Sequence, residues 1–184
     1  MSKVDVCMAK ITIQQIGITE VDADAIVNAA NEDLSAGLGV CGAIFKEAGH
    51  RDMQAACDEI GHCDTGDAVI TPGFALKARY VIHAIGSVWH GGGCGEADLL
   101  ASCYARAIEL AVENGCGSIA FPLISSGIFG YPKEEAWRVA IGACQEKLEQ
   151  LGERAPEVTF CVISDSSRKL GEKVLSEMHK LTEP

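Results

Sequence analysis

Basic residues are scarce in this chain: 15 Lys and Arg stand against 26 Asp and Glu, a formal charge of −11 over 184 residues. Binding to a phosphate backbone rests on clustered Lys and Arg and on the counterions they release, so a nucleic-acid polymer is not an expected partner. No apolar run approaches the roughly 20 residues that a bilayer span requires, and no membrane partner is expected either. No Cys-x-x-Cys pair occurs among the nine cysteines, which are Cys7, Cys41, Cys57, Cys63, Cys94, Cys103, Cys116, Cys144 and Cys161. Their spacings lack the paired clusters of a structural zinc site. His62 with Cys63 and His90 with Cys94 come nearest to metal-ligand pairs, but each lacks further partners; packing is their expected role, and no metal or cofactor is expected. No charged-then-apolar leader opens the chain, so a reducing cytoplasm is the expected compartment. Internal repeats, low-complexity tracts and Pro/Ser-rich linkers are also missing, and residues 1–184 read as one domain.

What is present is a globular composition, 48% hydrophobic and 22% charged. A domain of this size buries roughly 70% of its unfolded surface and needs no disulfide staples. Apolar stretches of strand length recur at Val4 to Ile16 (two strands or one bent one), Ala25 to Ala29, Ala68 to Thr71, Tyr80 to Ile85, Ser118 to Ile124 and Val158 to Ile163. Several are apolar on both faces, as in a sheet covered by helices on both sides. Helical spacing links Leu99, Cys103, Ala107 and Leu110 from about Glu96 to Asn114, with Gly115 as the stop. It also links Trp137, Ile141, Cys144 and Leu148, after a Pro132 suited to a first helical position and with Glu134 and Glu135 at the positive end of the helix dipole. Leu170, Val174, Met178 and Leu181 mark a last helix, capped by Asp165 or Ser166. The alternation predicts a three-layer α/β/α sandwich with a mixed, mostly parallel sheet.

Ligands of such sheets sit beyond the carboxyl ends of the strands. Two loops there have suitable composition. Ala36-Gly37-Leu38-Gly39-Val40-Cys41-Gly42 follows the strand at Ala25 to Ala29 and leads into a helix near Ala43. Its glycines permit close backbone approach, and the helix start offers unpaired N–H donors to an anion. It fits neither the dinucleotide fingerprint GxGxxG nor a phosphate loop with GKS or GKT. Ser125-Ser126-Gly127-Ile128-Phe129-Gly130-Tyr131 pairs hydroxyls and glycines with two aromatics, a composition that can wrap a phosphate and pack on a sugar. Together the loops point to one diphosphate held by backbone dipoles rather than lysines, which reconciles an anionic ligand with an acidic chain.

Four ordered segments then resemble the macrodomain family: Asp24-Ala25-Ile26-Val27-Asn28-Ala29-Ala30-Asn31, Gly39-Val40-Cys41-Gly42-Ala43-Ile44, Tyr80-Val81-Ile82-His83-Ala84-Ile85-Gly86, and Pro122-Leu123-Ile124-Ser125-Ser126-Gly127-Ile128-Phe129-Gly130-Tyr131-Pro132. The resemblance runs from about Ile11 to Leu175. It implies a macrodomain fold, an ADP-ribose pocket and, in many members, hydrolysis of ADP-ribosyl esters or O-acetyl-ADP-ribose. The alternatives it leaves open are a non-catalytic reader of ADP-ribose, free or on a modified protein, and a phosphatase acting on ADP-ribose 1″-phosphate. By resemblance the ligand-binding residues are Gly17, Ile18, Asn28, Asn31, Leu38, Gly39, Val40, Cys41, Gly42, Ser125, Ser126, Gly127, Ile128 and Phe129. Asn31 faces the distal ribose and Phe129 lies beside it; Asn31 and Cys41 are the catalytic candidates. The plainer role for the two asparagine amides, and the expected one for Asn28, is to tie the loop backbone together.

Three positions depart from the family pattern. Cys41 stands where many hydrolytic members of the MacroD type carry an Asp, and a neutral thiol is a poor base for activating water. A thiolate at a helix start is conceivable, but small apolar packing is the simpler role. Gly17 stands where an Asp commonly accepts a hydrogen bond from the adenine amino group; on that reading Gly17→Asp strengthens ADP-ribose binding. Val162-Ile163-Ser164-Asp165 lacks the aromatic residue that often stacks on adenine. Asp165 is a conceivable replacement carboxylate, though helix capping is its expected role. His83, within an apolar strand, is expected to be a hydrogen-bonded core histidine, and Gly91-Gly92-Gly93 a flexible surface loop or lid.

Overall fold

The computed structural model describes residues 10–182; Cys7 and the first part of the expected strand from Val4 lie outside them. Six strands among the described residues form one sheet: β1 (Ile11–Gln15), β2 (Ala25–Ala29), β3 (Ala68–Pro72), β4 (Tyr80–Ala84), β5 (Ser118–Phe121) and β6 (Glu157–Val162). Their spatial order is β1-β6-β5-β2-β4-β3, with every neighbouring pair parallel except β3 and β4. Among the described residues five α-helices cover it: α1 (Gly39–Ala48), α2 (His50–Ile60), α3 (Glu96–Glu113), α4 (Lys133–Leu151) and α5 (Asp165–Thr182). This is the expected three-layer sandwich with a mixed, mostly parallel sheet.

The two-residue period of the strands decides which helix meets which side chain. Val27 of β2, Ile82 of β4, Ile119 and Phe121 of β5 and Phe160 of β6 point to one face, where Tyr104 and Ile108 of α3, Trp137 and Ile141 of α4 and Val174 of α5 bury them. Their alternates, Ile26, Val81, Ala120 and Cys161, meet Ile44 and Phe45 of α1 and Met53 and Cys57 of α2 on the other face. Both faces are dry, as the near-continuous apolar strands require.

Several local expectations shift. Cys103, Ala107 and Leu110 of α3 are buried as expected, beside Leu100, Tyr104 and Ile108, while Leu99 is exposed. The buried face of this 18-residue helix is wider than one stripe and begins at Leu100 rather than Leu99. Trp137, Ile141, Cys144 and Leu148 are all buried as expected, but Leu181 is exposed. Pro132 lies just outside α4 with an extended ψ of 129°. The cap of α5 is Ser164, whose Oγ accepts from the Ser167 N–H at 3.2 Å. Asp165 is the first helical residue, and its carboxylate is held by Arg168 and Lys169. The segment after Phe121 leaves the sheet three residues before the expected strand end. A whole helix, α2, was not expected; Gly49, at φ +96°, breaks the helical run between α1 and α2. That backbone region is open to glycine at little cost.

At the amino ends of β2, β4 and β5 lies a polar clasp. Asp24 accepts from Gly117 N at 2.7 Å and from Arg79 N at 2.9 Å, while its own N–H donates to Ser118 Oγ at 2.9 Å. The Arg79 guanidinium donates to Gly115 O at 3.1 Å. All the parallel strands then run away from this clasp toward the opposite edge, where the two glycine loops lie.

Candidate ligand-binding site

β2 and β5 are hydrogen-bonded neighbours, Ala25 opposite Ile119 and Ile26 opposite Ala120. The loops that leave their carboxyl ends therefore start side by side. The β2 loop closes on itself through Asn31, whose Oδ1 accepts from Ser35 N at 3.1 Å and Ser35 Oγ at 3.2 Å and whose Nδ2 donates to Ser35 O at 3.1 Å. Its flank is pinned by residues outside the glycine motif. Gln54 of α2 accepts from Ala36 N at 3.0 Å and donates to Leu34 O at 3.4 Å. Glu32 accepts from Thr65 N at 3.0 Å and from its hydroxyl at 2.7 Å. The unexpected helix thus braces the loop.

Leu38 caps α1 in an extended conformation without a side-chain hydrogen bond, and its side chain is 82% exposed. The first-turn amides, from Gly39 onward, have no carbonyl behind them in the helix and face the edge. Gly42 has no room for a side chain, because a Cβ there would lie 2.8 Å from Gly37 O. Cys41 is buried, and its sulfur accepts from Gly37 N at 3.3 Å and from Asn28 Nδ2 at 3.6 Å.

Asn28 itself is buried in the sheet. Its Nδ2 donates to His83 Nδ1 at 3.1 Å, and His83 Nε2 lies 3.0 Å from Thr71 Oγ1, whose hydroxyl in turn lies 3.4 Å from Met53 Sδ. With Nδ1 accepting, the imidazole carries its proton on Nε2 and donates to Thr71. Burial lowers its pKa to about 4, so the ring is neutral. His83 is the hydrogen-bonded core histidine expected, and it orients the amide that touches Cys41. Asn28 Oδ1 is buried without a partner among the described residues.

The β5 loop is held from beneath by Tyr104 of α3, whose hydroxyl accepts from Ile124 N at 2.9 Å and donates to Pro122 O at 3.4 Å. Ser126 Oγ donates to Leu123 O at 2.8 Å, and Tyr131 N to Ser125 O at 3.0 Å. Ser125 sits at φ +66°, an uncommon region for a residue with a side chain, and its buried Oγ has no partner among the described residues. Strain and an unsatisfied hydroxyl at one residue are the mark of a position shaped for something other than stability. Gly127 and Ile128 form the exposed crest, Ile128 being 84% exposed, and Phe129 is half-buried behind them.

A third loop, from Gly86 to Gly95, meets the second. Trp89 N donates to Phe129 O at 2.9 Å, and the Trp89 ring lies 4.6 Å from that of Tyr131. Gly91-Gly92-Gly93 is exposed as expected, but a buried carboxylate organises it. Glu96, the first residue of α3, accepts from His90 N at 2.9 Å, Gly92 N at 3.0 Å and Cys94 N at 2.7 Å. Hydrogen bonds from backbone amides lower its pKa to about 2. Neither Glu96 nor Tyr104 stood out in the sequence, since a Glu in a first turn and a Tyr on a buried stripe are commonplace.

At the far end of the edge, β1 and β6 deliver Gly17 and Ile163. Ile18 is buried in the core, so its backbone rather than its side chain borders the edge. Ile163 is 88% exposed. A separate hollow of about 410 Å³ lies on the outer side of α3, lined by Thr65, Leu99, Ser102 and Arg106 among others. It contains none of the expected site residues, and Arg106 is already paired with Asp67, Glu109 and Glu113. No cluster of three or more His, Cys, Asp or Glu suited to a metal occurs among the described residues. His62 pairs instead with Asp64 at 2.9 Å. No helix among the described residues is long and apolar enough to cross a membrane.

The family model described as "Macro domain" matches residues 27–140, which run from within β2 through both glycine loops into α4. The chain belongs to the macro domain family. The macro domain-containing protein CT2219 of Chlorobaculum tepidum is 51% identical over 160 residues, covering 86% of this chain and 91% of that protein. ADP-ribose glycohydrolase MACROD2 of Xenopus laevis is 41% identical over 169 residues, 91% of this chain but 40% of the longer protein. Among solved structures, the Oceanobacillus iheyensis macrodomain with ADP superposes with a TM-score of 0.86 at 33% identity, covering 92% and 91% of the two chains. A variant of the same macrodomain with ADPR gives 0.83 at 32% identity, covering 92% of each. The macro domain fold expected from the four sequence segments is the fold observed.

Proposed function

We propose that this macro domain, a single domain over residues 1–184, binds ADP-ribose along the carboxyl edge of its sheet, with the diphosphate between the start of α1 and the Ser125–Gly130 turn. The observation that carries the reading is the pairing of two backbone donor sites on adjacent parallel strands, one a helix start without a side-chain cap and the other a strained turn around Ser125. Such donors bind an anion without a lysine, which suits a chain of charge −11. Gly39, Val40, Cys41, Gly42, Ser126, Gly127 and Ile128 border the phosphates in this reading. Asn31, Leu38 and Phe129 border the distal ribose, and Gly17 and Ile18 the adenine, while the expected ligand residue Asn28 is buried beneath the loop and positions Cys41 instead. The printed ligands of similar macrodomains, ADP and ADPR, support the choice of ligand.

Hydrolysis of ADP-ribosyl esters or O-acetyl-ADP-ribose is the accompanying activity, supported by similarity to a protein named ADP-ribose glycohydrolase. The reaction adds water across the bond to the distal ribose substituent, through attack at the anomeric carbon or at the ester carbonyl. Cys41 favours a slow reaction or a purely recognising role, because its sulfur accepts two N–H groups and offers no carboxylate to take a proton from water. Asn31, its amide committed to Ser35, or the substrate's own phosphate would then orient the water. The natural ligand is either the free nucleotide or ADP-ribose carried on a protein, and the eight described cysteines, all free, suit a reducing compartment such as the cytoplasm. Calorimetric titration with ADP-ribose tests the reading. Saturable binding at one site is expected, followed by product analysis with O-acetyl-ADP-ribose, ADP-ribosylated protein and ADP-ribose 1″-phosphate. No binding at millimolar ligand overturns it.

A further inference from the structure

We infer that Glu20 is the carboxylate that selects the amino-substituted purine at the adenine end of the cleft. The inference rests on the ADP-ribose reading above and names a residue for which that reading has no role. Gly17 has no side chain to offer, but the turn that begins there brings another one to it. Glu20 N donates to Gly17 O at 2.9 Å, which closes the turn and folds Glu20 back over Gly17. A Cβ built on Gly17 would lie 3.0 Å from Glu20 Oε1, 3.4 Å from its Cδ and 3.7 Å from its Cγ. The Glu20 carboxylate therefore occupies the volume that a short side chain at position 17 would fill. It reaches that volume from three residues later in the chain.

Placement and chemistry then agree. β1 ends at Gln15 opposite Val162 of β6, so this turn lies on the same edge as the glycine loops. Ile16 N donates to Val162 O at 3.1 Å, and Gln15 Nε2 to Ile163 O at 3.4 Å, which sets the exposed Ile163 beside the turn. An ionised carboxylate is an acceptor only and selects a partner with N–H to give. Among the described residues the Glu20 carboxylate has no ion-pair or hydrogen-bond partner, so its lone pairs are free for a ligand. An exocyclic amino group supplies such a donor, while the aliphatic Ile163 offers a surface for the face of the base. On this inference Gly17→Asp places a second carboxylate beside Glu20, so that change alone adds little to binding.

The test compares two ligands and three proteins by calorimetry. The ligands are ADP-ribose and its analogue with an unsubstituted purine lacking the 6-amino group. The proteins are the native chain, Glu20→Ala, and Glu20→Ala combined with Gly17→Asp. The native protein should prefer ADP-ribose by about three- to tenfold, the value of one hydrogen bond to a charged, solvent-exposed acceptor. Glu20→Ala should erase the preference while leaving the analogue's affinity unchanged, and the double variant should restore it. A preference that survives Glu20→Ala, or a loss shared equally by both ligands, overturns the inference and leaves ADP-ribose binding intact. Failure of the native protein to bind ADP-ribose overturns the functional reading, and this inference with it.

Discussion

Acidification from pH 7.5 to 5.0 should cost the fold about 2 kcal/mol of stability through His83 alone. The ring is fully buried, and its neighbours are Asn28, Thr71, the Cys57 thiol and the edge of Phe45, with no carboxylate to stabilise an imidazolium. Burial lowers its pKa from 6.5 to about 4. In the window between those values the unfolded chain takes up a proton that the folded chain refuses. Stability therefore falls as pH falls through 6.5, and the loss is complete below about 4. Each pH unit in the window is worth about 1.4 kcal/mol, so about 2 kcal/mol is lost by pH 5.0 and just over 3 kcal/mol at the lower limit. Carboxylates with lowered values, such as Glu96, begin to weigh only near their unfolded value of 4.5, below most of this window. Urea unfolding at a series of pH values reads the slope directly. His83→Gln, which keeps an amide for its partners but does not titrate, should flatten the slope. A native protein equally stable at pH 7.5 and 5.0, or a variant with the same slope as the native chain, refutes the argument. An NMR titration placing the His83 ring near 6.5 refutes it independently.

Gly127→Glu should leave the melting temperature within a degree or two, because a Cβ there meets nothing within 4 Å and the backbone is not left-handed, yet it should abolish ADP-ribose binding by filling the space before the phosphates. Unchanged affinity by calorimetry would remove that turn from the site. Cys41→Asp should raise release of ADP-ribose from mono-ADP-ribosylated Glu or Asp by at least tenfold, since one positioned general base contributes about 10² to 10⁴ in rate. Equal rates in the native protein, Cys41→Asp and Cys41→Ser would mean that the thiol only packs, whereas loss in both variants would indicate a thiolate. Gly86→Ala should destabilise the fold by about 1–3 kcal/mol, because its Cβ would lie 2.3 Å from Ser125 Oγ and 2.5 Å from Ile124 Cγ2. Chemical denaturation showing no change would indicate that the Ser125 turn yields easily.

The layers and most strands were legible because hydrophobic runs report burial, and a parallel sheet buries both faces of its strands. The two glycine loops were legible for a related reason, since composition reports where backbone must approach something closely. Helix α2 was legible in principle, since its two buried residues, Met53 and Cys57, stand four apart on one face of an otherwise polar segment, and only the small number of its apolar residues hid it. The stripe of α3 was right at Cys103, Ala107 and Leu110 and wrong only at Leu99, because Leu99 and Leu100 are equally apolar and only packing distinguishes them. Glu96, Tyr104 and Glu20 act through partners distant in chain or through a turn, and nothing in their own residue type announces it. Departures from the family pattern were visible at Gly17 and Cys41, but whether a neighbour compensated was a question of space. At Gly17 a carboxylate three residues later fills the gap, and at Cys41 the sulfur simply accepts the hydrogen bonds offered to it.

The clasp around Asp24 lies at the end of the sheet opposite every loop that borders the cleft. It joins segments far apart in the chain, from Asp24 to Arg79 and from Gly115 to Ser118, before any of those strands has reached the ligand edge. The molecule is in this sense a cantilever, anchored at one end and working at the other. Substitutions at the anchor change how firmly the whole beam is fixed, while those at the free end change what it grips. Substitutions at Cys41, Gly17 or Glu20 should therefore leave the strands in register, because the clasp that sets it lies at the other end.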